Sequence, residues 1–500
     1  MKKHWTEILS ILCAVSLAVT FLTGCSKAEK TSEEVQDKLE YLTNINVDTE
    51  KYDINDNPYL DYIEKQNGVD IEIINEASSS QYVQKASIIF ASGKLPDYVL
   101  INNDLRTNFS IWAREGLLLP LDEYIDETTY MKNDILPLSW ELSKIDEKTY
   151  AIPMQRYDVS PRMTFARKDW LDKLGIDPDN VRSIDDWYHM LKAFARNDPD
   201  GNGKDDTYGI TGRSNDEYSL YIFLDAFNAA KARYVNGEVL PNYILPEYKE
   251  WLKFMHRLYE EGIMDPEYVV NTKQQYWEKI ASDKVGAFYH FWSLQEYRGL
   301  NGSRENMVPM TPPQRVDGTP GKNINAMPVR HWIAISKDAG NPKKIVDLLD
   351  WAFSPDGGNF VHAGIEGMDY ELTGDKLTVK PERKGKSWAW RFITMGVQKT
   401  KMDEQLLYVL EQSWGKLGLQ HLDFSTQHGT YDEISMLIPP FPELADYDLL
   451  SQRDEFREKA IIGAIDIDAE WDDFVARWRR SGGDEWIKLY TESYNDMQNK

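Results

Sequence analysis

Nine consecutive residues carry the sharpest chemical signal in the chain: Asp198-Pro199-Asp200-Gly201-Asn202-Gly203-Lys204-Asp205-Asp206. Side-chain oxygens recur at loop positions 1, 3, 5 and 9, and Lys204 at position 7 can offer its main-chain carbonyl. A glycine (Gly203) stands at position 6, where an EF-hand-like calcium loop must turn sharply. Hard carboxylate and amide oxygens suit calcium better than a transition metal. The expected ligands are Asp198, Asp200, Asn202, Lys204 and Asp206, with calcium in a structural role that neutralises a crowded acidic turn. Position 12 is Gly209 rather than Glu. The missing ligand must then come from Asp205, from a residue distant in sequence, or from water. The competing reading is an acidic loop built on Asx-turns.

Catalytic patterns are absent. There is no Gly-x-Ser-x-Gly elbow, no His-Glu-x-x-His, no phosphate loop and no dinucleotide fingerprint. The eight histidines are scattered without ligand spacing, and with 82 carboxylates any choice of a glycosidase pair is arbitrary. Binding is better supported. Aromatic rings stand beside hydrogen-bonding groups at Trp140, at Arg156-Tyr157-Asp158, at His290-Phe291-Trp292, at Arg330-His331-Trp332 and at Ser387-Trp388-Ala389-Trp390. A sugar presents an apolar ring face and a rim of hydroxyls; an indole under the face and charged groups at the rim satisfy both. The candidate ligand-binding residues are therefore Trp140, Arg156, Tyr157, Trp292, Arg330, His331, Trp332 and Trp388. A formal net charge of -25 argues against nucleic acid and against a peripheral grip on anionic lipid.

The amino terminus reads as an export signal. Lys2 and Lys3 precede an apolar run from Ile8 to Leu22, which suits a secretory signal and is short for a membrane span. It ends in Leu22-Thr23-Gly24-Cys25, a box that resembles that of bacterial lipoproteins. Residues 1–24 are expected to be a signal peptide, Cys25 the lipidated residue, and residues 25–45 a flexible tether. Cys13 is lost with the signal, so the mature chain has no disulfide and no catalytic thiol. The expected location is the outer face of the cytoplasmic membrane of a Gram-positive cell, with lipid as the sole membrane attachment.

The elements that must position these residues follow from periodicity and caps. Val69–Ile74, Ser78–Ser92 and Tyr98–Ile101 read as strand, helix and strand, which predicts a parallel sheet. Ser183 with Asp186 predicts a capping box, followed by Trp187, Leu191 and Phe194 on one helix face. Further helices are expected over Glu247–Glu260 and Lys273–Ser282, from Asn341-Pro342 onward, and over Trp471–Trp478. Val285–Tyr289 reads as a buried strand. The chain is thus α/β, rich in helix and divided into two lobes. We assign 46–160 and about 315–365 mainly to the first lobe, and 161–314 and about 366–500 mainly to a second, helix-rich lobe.

Several segments are similar to the extracellular solute-binding proteins of carbohydrate ABC importers, family 1 type, in the large lipoprotein branch of Firmicutes. They are Ala91–Asp97 (ASGKLPD), Gly116–Ile125 (GLLLPLDEYI), Ala166–Gly175 (ARKDWLDKLG), Asp185-Asp186-Trp187, the 198–208 loop into Gly209-Ile210, Leu349–Gly358 (LDWAFSPDGG), Gly364–Gly367 and Glu470–Phe474. The resemblance implies a two-lobed, type II periplasmic-binding-protein-like fold that closes on its ligand. It also implies a monomeric receptor that passes a sugar or oligosaccharide to permease subunits without turnover. Relatives in this branch bind calcium at the acidic loop, although Thr207 stands where some carry an acidic ligand. The alternatives are a receptor of the same fold for a peptide or other solute, and a secreted carbohydrate-active enzyme.

Overall fold

A computed structural model describes residues 37–44, 53–76, 78–156, 159–160, 162–213, 217–294, 297, 302–325, 327–374, 376–381, 404–438 and 440–499. The export signal, Cys25, Tyr157 and Trp388 lie outside the described residues. The strands of interest are β1 (Asp37–Thr43), β2 (Val69–Asn75), β3 (Tyr98–Ile101), β4 (Ala151–Gln155), β5 (Arg162–Arg167), β6 (Tyr208–Ile210), β7 (Val285–Phe291), β8 (Met307–Pro309), β9 (Asn323–Asn325), β10 (Val329–Ile335) and β11 (Gly429–Tyr431). The helices are α1 (Ser79–Ser92), α2 (Arg106–Arg114), α3 (Ile184–Arg196), α4 (Pro246–Glu260), α5 (Lys273–Ala281), α6 (Pro342–Trp351), α7 (Glu404–His428), α8 (Glu433–Leu437), α9 (Leu449–Ile461), α10 (Ile467–Trp478) and α11 (Asp484–Gln498).

The first sheet has the order β2-β1-β3-β10-β4. β1 runs parallel to both β2 and β3, and β10 runs antiparallel to β3 and β4. The parallel pattern expected of strand, helix and strand is present, with one strand inserted between the pair. That strand corrects the expected tether: residues 37–43 lie inside the first sheet. Leu39 and Tyr41 are buried while Lys38 pairs with Glu72 at 2.8 Å. The Tyr41 ring stacks on that of its register partner Tyr98, centroids 4.2 Å apart. The charged residues that made the segment read as tether are the exposed side of an edge-to-centre strand pair.

The second sheet has the order β8-β5-β7-β6. It is buried on both faces, as strands rich in apolar residues require. Phe165 and Phe288 belong to one core with Trp277, Trp292 and Leu422; Ala166 and Ala287 belong to the other with Trp187, Phe194, Trp251 and Trp478. The predicted capping box forms: Ser183 Oγ accepts from Asp186 N–H, and the Asp186 carboxylate accepts from Ser183 N–H. It starts α3, which sets Trp187, Leu191 and Phe194 into the core. Gly286 lets β7 pass under that helix, because a Cβ there would meet the Phe194 ring at 2.2 Å.

The lobe division also needs correction near its end. Ile365 and Met368 pack on the first core, and Tyr59 donates its hydroxyl to Asp369 at 2.9 Å. Met436 is likewise part of the first core. Residues 365–369 and α8 therefore belong with the first lobe, whereas α7 and α9 to α11 pack in the second.

Candidate ligand cleft at the lobe crossings

β4 ends in the first lobe at Gln155 and β5 begins in the second at Arg162, so the chain passes from the first sheet to the second between these two residues. Buried Gln155 is fixed by its side-chain oxygen, which accepts from Leu136 N–H at 2.7 Å and Ser139 Oγ at 3.1 Å. Arg156 N–H donates to Pro328 O at 2.7 Å, tying this crossing to the one that enters β10. A further crossing is pinned by β9, which pairs in parallel with β11. Gly429 at the start of β11 backs so closely on Ser160 that a Cβ would lie 2.8 Å from the Ser160 Cβ. The crossings thus form one packed seam.

The strand ends at this seam carry the candidate binding groups. In the second lobe Arg162 faces Phe291 in register, with its guanidinium carbon 4.4 Å from the ring centroid, a cation–π arrangement. Beside them His290 meets the Trp277 ring edge-on at 4.1 Å. Burial, and then the positive charges of Arg162, Lys273 and Arg213, hold the His290 imidazole well below its usual pKa, so it is neutral at pH 7. In the first lobe the ladder between β10 and β4 is interrupted between Val329 and His331, which leaves Arg330 on a bulge. Bulges re-aim side chains, commonly next to functional sites.

The structure brings Arg156, Arg330 and His331 to this seam. It does not bring Trp140 there: that half-buried ring packs on the first core beside a shallow groove with Asp122, Asp126 and Lys132. Trp292 is 4% exposed, edge-on to Trp414 at 5.6 Å within the second lobe. Trp332 is 1% exposed in the first core. Neither indole offers an open face: Trp292 packs edge-on against Trp414 of α7, and Trp332 lies beneath Arg106 of α2. Arg162 and half-buried Phe291 were missed as candidates. Only the pairing of β5 with β7 brings them together, and that register spans more than a hundred residues of sequence.

The acidic loop lies apart from the seam, directly after α3. Asp198, Gly201 and Gly203 have left-handed backbones. Gly203 N–H donates to Asp198 Oδ2 at 3.1 Å, and Lys204 N–H to Asn202 Oδ1 at 2.8 Å. The Asn202 amide bridges Asp200 and Asp206 at 2.6 and 3.0 Å. The other Asp198 oxygen, Oδ1, is buried with no hydrogen-bond partner. Lys284 sits 2.6 Å from Asp206 and holds its carboxyl below the usual range. Asp205 does not complete the set, since it faces outward in a two-pronged pair with Arg196 at 3.0 and 3.1 Å. Nor does Thr207, whose hydroxyl donates to Phe194 O at 2.8 Å. Gly209 replaces Glu for a packing reason: it lies in β6, and a Cβ would come within 2.4 Å of the Leu191 carbonyl oxygen. Among the described residues no three His, Cys, Asp or Glu side chains form a ready-made metal cluster. The loop's donors are of mixed type, and the orphaned Asp198 oxygen is the feature that fits a cation.

The sequence profile described as "Bacterial extracellular solute-binding protein" matches residues 47–359. The chain belongs to that family, whose members are extracellular and bind solutes rather than transform them. It is similar to lipoprotein LipO of Bacillus subtilis (strain 168), 25% identical over the whole of this chain and 99% of that one. It is also similar to the polygalacturonan/rhamnogalacturonan-binding protein YtcQ of the same organism, 23% identical with 82% of each chain covered. Among solved structures it resembles an EF-hand mutant of the Streptococcus pneumoniae ABC-transporter substrate-binding protein FusA in complex with fructo-nystose. The TM-score is 0.67 at 20% identity, over 93% of this chain and all of that one. The two-lobed α/β fold of type II solute-binding proteins is thereby established.

Proposed function

We propose that the chain is a lipid-anchored receptor that closes its lobes on an oligosaccharide at the crossing seam and presents it to the permease subunits of an ABC importer. The observation that carries this reading is the seam itself. The Phe291 ring under the Arg162 guanidinium stands on one side, and Arg330 on its bulge on the other. The ring supplies an apolar surface for a sugar face, and the guanidinium groups supply fixed donors for hydroxyls. The ligands in the names of YtcQ and of the FusA complex support the sugar class. Cys25 is the proposed anchor, since two or more acyl chains on one residue hold stably to a membrane.

Titration calorimetry of the soluble mature chain against oligosaccharide and peptide panels tests this. Saturable sugar binding without release of smaller sugars is expected. Phe291→Ala and Arg330→Ala should each weaken it by roughly tenfold, about 1.4 kcal/mol. Binding of peptides alone would overturn the sugar assignment, and product release would replace the receptor with an enzyme.

The acidic loop is proposed to hold calcium through Asp198, Asp200, Asn202, the Lys204 carbonyl and Asp206, with the ion neutralising the turn after α3. At a calcium concentration 100 times Kd the folded state should gain about 2.7 kcal/mol. Melting in calcium against chelator measures it. An unchanged melting temperature, or an equal gain in Asp198→Asn, would show the loop to be a plain acidic turn.

A further inference from the structure

A cavity of about 20 Å³ lies in the first lobe under α2, bounded by Arg106, Ser110, Glu141, Lys144, Trp332 and Leu437. Two of these residues contribute buried polar atoms without any hydrogen-bond partner: Trp332 Nε1 and Ser110 Oγ. Both residues are 1% exposed. The third polar wall is Arg106, whose guanidinium carbon is 5.6 Å from the Trp332 ring centroid. Its one hydrogen bond is long, 3.4 Å to the carbonyl of Met436, and no carboxylate pairs with it among the described residues. Glu141 does not serve, because Lys144 already holds it at 2.6 Å.

Donors and charge together decide what fits. An indole N–H and a guanidinium only donate, and a hydroxyl can donate. A water could accept from the indole and the guanidinium and give a proton to Ser110 Oγ, but it would leave the charge of Arg106 unbalanced. A monovalent anion accepts from all three and offsets the unpaired charge of Arg106. The volume admits one sphere near the size of water and excludes a sugar ring or sulfate. Burial alone lowers the Arg106 pKa to about 10, as expected of a guanidinium without a counter-charge, and it remains protonated at neutral pH.

We propose that this cavity is a halide-sized anion site, occupied by chloride, with Arg106, Ser110 and Trp332 as its donors. The ion would fasten α8, which carries Met436 and Leu437, to α2 of the first lobe. The site is separate from the crossing seam, so it stands or falls independently of the sugar reading. Two measurements on the full mature chain test it. Crystals grown or soaked in sodium bromide should show an anomalous peak beside Trp332 Nε1 and Ser110 Oγ. Melting in sodium chloride should exceed melting in sodium gluconate of equal ionic strength by a few degrees. Ser110→Ala, whose hydroxyl makes no other hydrogen bond, should fold normally and lose most of that difference. An ordered water in place of the bromide peak, or identical melting of the native chain in the two salts, overturns the proposal.

Discussion

Asp265→Ala is expected to lower the unfolding free energy by about 3–5 kcal/mol, the cost of breaking a buried ion pair from one side. The Asp265 side chain is fully buried and receives donors from four directions. Lys279 Nζ lies at 3.0 and 2.8 Å, Thr211 Oγ1 at 2.7 Å, Asn271 Nδ2 at 2.8 Å and Glu267 N–H at 3.0 Å. Burial works against its charge. Lys279, Thr211 and Asn271 outweigh burial and keep the carboxyl below its usual range. Removing the carboxylate leaves a lysine, an amide and a hydroxyl facing an emptied buried site. The damage should reach the seam, because Lys279 lies on α5, whose Trp277 supports His290. Asp265→Asn keeps the volume and one acceptor, so its loss should be smaller. Urea unfolding of the two variants measures both. A cost for Asp265→Ala below about 1 kcal/mol would mean that Lys279 is held well enough by Glu267 alone, at 2.8 Å.

The features legible in the sequence are those set by near neighbours. The Ser183/Asp186 box and Asn341 capping Pro342–Trp351 each depend on residues within one helical turn. β1 escaped because Asp37, Lys38 and Glu40 gave it the composition of a tether. Its identity lies in Leu39 and Tyr41, which find partners only when Val69–Asn75 and Tyr98 fold beside them. The site divides along the same line. The acidic loop is a contiguous string and could be read with its spacing intact. Arg162 and Phe291 are strangers in sequence, joined by strand register. Trp292 and Trp332 stand beside polar residues in the chain, and that adjacency suggested open faces. Trp332 lies within β10, where neighbours point to opposite sides, and Trp292 follows β7 and turns into the core beside Trp414, so a polar neighbour is no sign that the ring itself is exposed.

Acid should weaken the fold through a histidine that binding does not use. His421, on α7, is 1% exposed; its Nδ1 lies 3.2 Å from the Trp292 carbonyl and its ring is edge-on to Phe165 at 5.1 Å. The other nitrogen, Nε2, is buried with no partner. The ring is therefore neutral, with Nδ1 donating, and protonation would place an unsatisfied N–H and a charge in the core. Burial, and then the nearby Arg304, depress its pKa to about 4. The unfolded value is about 6.5, so between these limits the unfolded chain binds more protons than the folded one. Stability from this residue is complete above pH about 6.5 and is lost as pH falls toward 4, about 3 kcal/mol in all. His290 is shifted the same way and adds to the total, so the residue must be isolated by difference. His421→Asn keeps a donor for the Trp292 carbonyl and removes the titration. Its unfolding free energy should sit below that of the native chain at pH 7, and the gap should narrow by about 3 kcal/mol between pH 6.5 and 4. A gap that stays constant over that range would mean that the imidazole is reached by solvent, and that α7 does not seal the core against the second sheet.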